Sequence, residues 1–209
     1  METVVAFIIA FHISVWDFGG LYEMMKKIDR YDSLIQYYVE TTIIMHEPID
    51  WLLIKSMINQ ESGFDPKARS NVGAAGLLQL MPETAEECGV ADVYNPEENI
   101  NGGVRYLKHL WTKFSEIKDE EERLKFTIAA YNAGRGNINK ALSRARESEG
   151  LPYTYKEWVN QGCPDGQWST WEYSSQFLHK VTGKSNANQT INYVDRILSY
   201  YNKLNASPC

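Results

Sequence analysis

The sequence predicts an all-α fold, or an α fold with minimal β structure. Apolar residues recur at spacings of three and four over several segments, which is the period of a helix with one buried face. Residues typical of helix starts and ends, such as Asp50 and Gly89, stand between these segments. The 209 residues suffice for one domain with a sizeable core, alone or with a short appendage.

The composition is that of an ordinary soluble globular protein. Hydrophobic residues make up 44% of the chain and charged residues 23%, which indicates neither disorder nor a protein with several membrane spans. The formal charge is -6 and no run of Lys or Arg occurs. We therefore expect no nucleic-acid partner, because such a partner would need a basic patch.

The apolar stretch at residues 4–16 has three interpretations. Its thirteen positions are short for a membrane span, and no positive charge precedes it as in a signal peptide. Residues 1–28 are thus expected to be an apolar segment and lead-in helix. The stretch is either an export or membrane-anchoring remnant, a buried element packed on the domain, or the cut end of a longer protein.

The first helical pattern runs from Leu21 to Met45. The residues that recur at helical spacing, and that we expect in the core, are Leu21, Met24, Met25, Ile28, Tyr31, Leu34, Ile35, Tyr38 and Val39. Pro48 and Asp50 then open a second helix that ends at Glu61, and Asp50 is placed to cap it.

Two further helices are expected downstream. Met81-Pro82 introduces a short helix from Glu83 to Cys88, which Gly89 ends. Another helix runs from Asn99 to Phe114. Its inward residues are Val104, Leu107, Leu110 and Trp111.

The acidic run at residues 119–122 is better explained by helix capping than by a metal site. Asp119 is placed to cap a helix whose first turn carries three carboxylates, and Glu122 completes a capping box with Asp119. We expect Gly134 and Gly136 to stop this helix.

Residues 150–190 form a long, aromatic-rich connection. Segments of that length are often functional or contain short helices. Its aromatic side chains are expected either to line a saccharide groove or to pack the segment onto its own domain. An amphipathic closing helix follows, with apolar residues Ile191, Val194, Ile197, Leu198 and Tyr201.

Glu61 is the carboxylate with the strongest indication of chemistry. It follows Met57 and Ile58 by four and three positions, which places it on the apolar stripe of its helix. Lost hydration, apolar neighbours and the negative end of the helix dipole would each raise its pKa and leave a neutral carboxyl that can donate a proton. Cleavage of a glycosidic bond needs such a general acid. The alternative is a frayed helix end turned to water, with Gly63 as a stop.

A compact loop follows Glu61, and its pattern carries a resemblance. The residues from Glu61 to Ala85 read E-S-x-F-x-P-x-A-x-S-x-x-G-A-x-G-L-x-Q-L-M-P-x-T-A. Further blocks are N-P-E-E-N-I at residues 95–100, A-A-Y-N-A-G at 129–134 and Y-V-D-R-I at 193–197. These four ordered blocks resemble the catalytic domain of soluble lytic transglycosylases over residues 30–203.

Two further segments are most similar to one subfamily, the catalytic module of membrane-bound lytic transglycosylase F. They are D-R-Y-D at residues 29–32 and R-L-K-F at residues 123–126. The resemblance implies a lysozyme-like helical domain over residues 29–205, with a glycan groove between its lobes. It also implies a place in the cell envelope, either periplasmic or associated with the outer membrane, and peptidoglycan glycan strands as the partner.

The same resemblance implies that Glu61 is the catalytic residue. Glu61 would protonate the oxygen between N-acetylmuramic acid and N-acetylglucosamine while the sugar's acetamido group stabilises the developing cation. It would then act as base on the muramyl 6-hydroxyl, which attacks the anomeric carbon. The product is a 1,6-anhydro ring, and no water is consumed.

Substrate-binding roles are implied for seven residues, Ser62, Ser70, Gln79, Met81, Tyr131, Asn132 and Tyr193. Ser62 would support Glu61 or the substrate, and Ser70 would contact the sugar near the cleavage point. Gln79 and Met81 would line the floor of the groove. A structural role is the alternative for each of these.

Tyr131 would hydrogen-bond close to Glu61, Asn132 would help to hold that corner, and the closing helix would return Tyr193 toward it. The sequence departs from the family pattern at two positions. Leu78 stands where Met is common, and Gln189 stands where a Glu often precedes the T-x-x-Y-V run. The second change bears on contacts to the peptide stem.

No cofactor and no metal are indicated. The four histidines are scattered, and neither H-E-x-x-H nor C-x-x-C occurs. The cysteines are Cys88, Cys163 and Cys209, and this odd number indicates no disulfide framework. One pair could form, and Cys163 with Cys209 is one choice.

The sequence favours an enzyme, and of three functions the first is the leading interpretation, while Glu61, Tyr131 and Gln79 argue against the third. The first is a peptidoglycan lytic transglycosylase. The second is a muramidase that hydrolyses the same bond and needs a second group to position water. The third is a cell-wall binding or assembly module that holds glycan without turnover.

Overall fold

The computed structural model describes residues 20, 23, 25–43 and 47–206. The predictions for the apolar stretch at residues 4–16, and for Cys209, lie outside these described residues. None of the described helices is both long and apolar enough to cross a membrane.

The predicted all-α fold is confirmed. Within the described residues, the β-type pairing consists of two isolated bridges, Arg69 with Ala75 and Ala75 with Leu80. The helices are α1 (Asp32–Thr42), α2 (Trp51–Ser62), α3 (Pro82–Glu87), α4 (Pro96–Thr112), α5 (Glu120–Ala133), α6 (Arg135–Ser148), α7 (Tyr155–Asn160), a 3-10 helix (Gln167–Ser169), α8 (Trp171–Ser175), α9 (His179–Thr182) and α10 (Lys184–Ala206).

Helix α2 begins after Asp50, as the sequence predicts, and ends at Ser62, one residue beyond the predicted end at Glu61. The Asp50 carboxylate accepts a hydrogen bond from the Leu53 amide at 2.9 Å, which caps the first turn. Gly63 ends the helix with a left-handed backbone, at a φ of 56°. The second oxygen of Asp50 accepts a hydrogen bond from the Tyr201 hydroxyl at 2.8 Å, so the same side chain also joins α2 to α10.

The core forms where α10 packs against α2 and α5, and where α1 packs against α2 and α4. The apolar stripe of α2 is completely buried there, at Leu53, Ile54, Met57 and Ile58. Val194 and Ile197 of α10 are also fully buried. The residue that ends this stripe of α2 therefore lies next to the core.

Two predictions of helix ends are corrected. The pattern from Leu21 to Met45 is not one continuous helix, because a turn at Arg30 and Tyr31 precedes α1. Gly134 ends α5 as expected, but Gly136 does not stop a helix, because it lies inside α6. A glycine inside a helix costs only about 1 kcal/mol relative to Ala, which tertiary packing can offset.

The capping box at the start of α5 forms only in part. The Asp119 carboxylate accepts a hydrogen bond from the Glu122 amide at 2.9 Å, as predicted. The Glu122 side chain does not return to Asp119. It instead accepts hydrogen bonds from the backbone amide of Trp171 and the ammonium of Lys125, and so connects α5 to α8.

The aromatic-rich connection packs largely onto its own domain. Trp158, Trp168 and Trp171 are all buried. The rings of Trp158 and Trp168 meet edge to face at 5.1 Å, and Trp171 meets Phe126 of α5 in the same way at 5.4 Å. For these three tryptophans the packing interpretation is the correct one.

Asn99 holds the loop between α2 and α3. This fully buried side chain accepts a hydrogen bond from the Leu78 amide at 2.8 Å and donates to the carbonyls of Ala75 and Val93 at 3.1 and 2.9 Å. Gly76 approaches Asn99 closely, since a Cβ at position 76 would lie 2.2 Å from Nδ2 of Asn99 and 2.1 Å from the Val93 oxygen. The loop position thus depends on one amide of α4.

We expect Asn99→Ala to lower the free energy of unfolding by about 3 kcal/mol or more, because it leaves three buried backbone groups without a partner. The matched control is Asn101→Ala on the same helix, which should change stability by roughly 0.5 kcal/mol or less. Urea unfolding of both variants measures the difference. Equal stability of the two variants would contradict this role of Asn99.

Candidate active site

The candidate site is centred on Glu61, near the C-terminal end of α2. Its side chain is half-buried and follows the fully buried stripe of that helix. The frayed helix end turned to water is therefore not observed. The position matches the expectation of a carboxyl on an apolar face.

Tyr193 is the direct partner of Glu61. Its hydroxyl donates a hydrogen bond to Oε1 of Glu61 at 2.5 Å. Tyr193 is buried on α10, 132 positions further along the chain. The closing helix thus returns Tyr193 to the site as predicted. The sequence analysis expects Tyr131 to form a hydrogen bond close to Glu61, but the hydrogen bond to Glu61 comes from Tyr193.

Burial raises the pKa of Glu61 from an ordinary value of 4.5 to about 7. The hydrogen bond from Tyr193 acts in the opposite direction, because it stabilises the charged carboxylate. Near neutral pH the group is consequently divided between its acid and base forms. Such a carboxyl can donate a proton in one step and accept one in the next.

Tyr131 lies close to Glu61 but bonds elsewhere. Its hydroxyl donates to the backbone carbonyl of Leu78 at 2.8 Å, and its ring contacts Tyr106 with 5.3 Å between centroids. Burial, followed by the charge of Glu61, raises the pKa of Tyr131 and of Tyr193 well above the usual value of 10. Both phenols are therefore neutral hydrogen-bond donors beside the carboxyl.

Like Tyr131, three further predicted binding residues form hydrogen bonds to the protein's own backbone. Ser62 donates to the Ile58 carbonyl at 3.2 Å, and the Ser70 hydroxyl accepts from the Ala74 amide at 3.0 Å. The amide of Gln79 donates to the carbonyls of Ala68 and Gly76 at 3.1 and 2.9 Å. The contacts of Ser70 and Gln79 stabilise the loop, whereas that of Ser62 lies within the last turn of α2.

Met81 and Gln79 occupy special positions in that loop. Gln79 has a positive φ of 46°, an uncommon conformation for a side chain other than Gly. Met81 stands at the N-cap of α3 with 38% of its surface exposed. An exposed, flexible thioether is suited to contact with a ligand.

Asn132 lies at the edge of a polar cavity of about 320 Å³. Its Oδ1 accepts a hydrogen bond from the Thr190 hydroxyl at 3.0 Å. Asn132 directly follows Tyr131, and Thr190 precedes Tyr193 by one helical turn, so the cavity adjoins the Glu61 corner. Gln189, which departs from the family pattern, also lines the cavity.

The sequence reasoning missed two participants in this arrangement. Thr190 was not predicted, although its spacing from Tyr193 on the same helix was a usable signal. The Leu78 carbonyl, which accepts from Tyr131, left no signal because a backbone group has no residue preference.

Comparison with known proteins is consistent with this geometry. The family model described as Transglycosylase SLT domain matches residues 43–153. The chain is 36% identical to membrane-bound lytic murein transglycosylase F of Desulfosudis oleivorans over 74% of this chain and 33% of that protein. It is 30% identical to the protein of the same name in Aeromonas salmonicida over 92% of this chain and 37% of that one.

This chain therefore spans only about a third of the length of these curated relatives. Among solved structures, it resembles the 70 kDa soluble lytic transglycosylase from Escherichia coli, with a TM-score of 0.52 and 24% identity over 85% of this chain and 25% of that one. It also resembles an inactive mutant of lytic transglycosylase Slt from Pseudomonas aeruginosa, with a TM-score of 0.55 and 24% identity. That match covers 86% of this chain and 25% of the other. These likenesses show the fold.

We expect Glu61→Gln to change how stability depends on pH. Because folding raises the pKa of Glu61 to about 7, its contribution to stability is complete below its ordinary value of 4.5 and is lost as the pH rises through 7. At pH 8 the parent must bury a charge that the variant lacks. The variant should then be more stable than the parent by up to roughly 3 kcal/mol, and the advantage should shrink toward pH 5.

Urea unfolding of both proteins at pH 5 and pH 8 measures this difference. The matched control is Glu147→Gln, which alters an exposed carboxylate on α6 and should shift stability equally at both pH values. A Glu61→Gln effect that does not depend on pH would contradict a raised pKa at this position.

Proposed function

The chain belongs to the Transglycosylase SLT domain family, and from this premise we propose that it is a peptidoglycan lytic transglycosylase. It cleaves the bond between N-acetylmuramic acid and N-acetylglucosamine without water and leaves 1,6-anhydromuramyl ends. The observation that carries the proposal is a half-buried Glu61 with a pKa of about 7, held by Tyr193.

In this proposal, Glu61 acts twice, first as an acid and then as a base. Its neutral form donates a proton to the bridging oxygen, so that the leaving sugar departs as an alcohol while the acetamido oxygen stabilises the cation at the anomeric carbon. The resulting carboxylate then removes the proton of the 6-hydroxyl as that oxygen bonds to the anomeric carbon. The proton returns to Glu61, and the enzyme needs no second acid or base.

The surroundings of Glu61 favour this reaction over hydrolysis. Most glycosidases use two carboxyl groups, about 5–5.5 Å apart in retaining enzymes and about 6.5–9.5 Å apart in inverting ones. Within the described residues, the side chain that hydrogen-bonds to the Glu61 carboxyl is the phenol of Tyr193 and not a second carboxyl group. A single carboxyl suits a reaction in which the substrate supplies its own nucleophile.

The remaining predicted residues receive supporting roles in the proposal. Tyr193 holds the Glu61 carboxyl in place and tunes its pKa. Tyr131 fixes the Leu78 backbone in the wall of the groove. Asn132 presents a polar edge to the neighbouring sugar.

The residues of the loop complete the groove. Ser62, Ser70 and Gln79 shape it through the backbone groups that they bind, and their remaining hydrogen-bonding capacity is directed to the glycan. Met81 lies at its floor.

The functional unit extends beyond residues 43–153. We assign it to residues 29–205, because Tyr193 on α10 is in direct contact with Glu61. Its substrate places the protein in the cell envelope. A periplasmic or outer-membrane-associated position is our proposal, supported by curated relatives that are named membrane-bound.

We expect Glu61→Gln to lower the release of anhydromuropeptides from purified peptidoglycan by about 10²- to 10⁴-fold, the usual contribution of general acid–base catalysis. Mass spectrometry of the released fragments measures both rate and product. Glu147→Gln serves as the control and should retain the parent's rate. Reducing muramyl ends from the parent would instead identify a hydrolase, and intact glycan that still binds the protein would identify a binding module.

We also expect kcat/KM to fall about tenfold per pH unit above pH 7, because the free enzyme must hold the proton that it donates. Tyr193→Phe removes the hydrogen bond that stabilises the Glu61 carboxylate. The pKa of Glu61 should then rise, and the alkaline limb of the profile should move to higher pH. Initial rates from pH 5 to 9 test this, and a limb that stays in place or moves to lower pH would contradict it.

A further inference from the structure

A second cavity lies between α6, the segment after α4 and the start of α7. Its volume is about 420 Å³, and it shares no lining residue with the polar cavity beside Asn132. None of the residues predicted to bind glycan lines it. The cavity is therefore separate from the site of the proposed reaction.

Positive charge predominates in this second cavity. Arg135 and Arg146 of α6 line it together with Lys113, whereas Glu116 is the acidic residue in its lining. The chain as a whole carries a formal charge of -6. Such a concentration of cations in an acidic protein favours an anionic ligand.

Arg146 is buried and only partly hydrogen-bonded, although the charge of Glu116 in the same cavity acts on it. Only 3% of its surface is exposed, and its guanidinium lies over the rings of Trp158 and Trp168, at 5.5 and 5.0 Å from their centroids. One nitrogen donates to the Ser143 hydroxyl at 3.3 Å, while Nε and Nη1 have no hydrogen-bond partner in the described part of the chain. A buried cation normally pairs with an anion.

The lining also indicates which anion would fit. The exposed ring of Tyr155 offers apolar surface to an organic group, and the buried Leu142 lies behind the lining. Burial raises the pKa of Glu116, and the charges of Arg146, Arg123 and Lys118 act in the opposite direction. A phosphate dianion would place more charge near Glu116 and would leave the apolar wall without a contact.

We propose that this cavity binds a small organic carboxylate. Arg146, Lys113 and Arg135 attract the carboxylate group, and the apolar body of the ligand lies against Tyr155. The proposal is independent of glycan cleavage, because it rests on residues that have no part in the Glu61 site.

The test is a titration of the ¹⁵N-labelled full chain with N-acetyl-alanine, followed by NMR. The neutral analogue N-acetyl-alaninamide and inorganic phosphate are titrated in parallel. We expect the acid alone to shift amide resonances within residues 112–116 and 135–146. Lys113→Gln should raise the Kd at least about threefold, as expected for a partly screened ion pair.

The matched control is Lys140→Gln, which removes an exposed cation of α6 outside the cavity and should leave the Kd unchanged. Arg146→Met should raise the Kd more than Lys113→Gln, in a sample whose thermal unfolding shows that it is folded. If Arg146→Met does not fold, the comparison of Lys113→Gln with Lys140→Gln decides the question.

Three results would overturn the proposal. The first is an absence of shifts around this cavity, and the second is an equal response to the acid and to its neutral amide. The third is binding of phosphate in place of the carboxylate. Because the readout is binding to a cavity without Glu61, its failure would leave the proposed transglycosylase activity intact, and loss of that activity would leave this proposal intact.

Discussion

The structure depends on the packing of α2 against α10, which places a carboxyl where most of its hydration is lost. Two hydrogen bonds between a phenol and a carboxylate join these helices, Tyr201 to Asp50 at the start of α2 and Tyr193 to Glu61 at its end. Tyr201 follows Tyr193 in α10, yet it binds Asp50, which precedes Glu61 in the chain. The two helices therefore run antiparallel. Fully buried apolar residues lie between the two pairs, and the hydrogen bond from Tyr193 holds the half-buried Glu61 side chain against α10.

The loop opposite Glu61 is fixed by side chains from two other helices. Both backbone groups of Leu78 are bound, the amide by Asn99 of α4 and the carbonyl by Tyr131 of α5. A loop that leaves such groups buried and unpaired would be unstable. The family motifs around Asn99 and Tyr131 therefore act together, because each satisfies one backbone group of the same residue, Leu78.

The sequence predicts those features that depend on neighbouring residues. The Asp50 cap, the Gly63 stop and the apolar face under Glu61 follow from spacing within a single helix. The partners of Glu61 and Glu122 could not be derived in this way, because Tyr193 and the Trp171 amide are brought to them by tertiary packing across 132 and 49 positions. The position of Gly136 inside a helix likewise depends on tertiary packing, which the helix propensity of the residue does not predict.

A site of this kind imposes a cost that the rest of the domain must offset. Raising the pKa of Glu61 to about 7 means that the folded state holds a partly charged carboxyl with little water around it at neutral pH. The burial of α2 and α10 against each other supplies the compensation, and α10 lies beyond the residues that the family model matches. Residues 43–153 alone would include Glu61 but would lack Tyr193, the Asp50–Tyr201 bond and the apolar face that removes water. The carboxyl would then be expected to hydrate and to return toward its ordinary pKa, which would remove its ability to act as an acid at neutral pH.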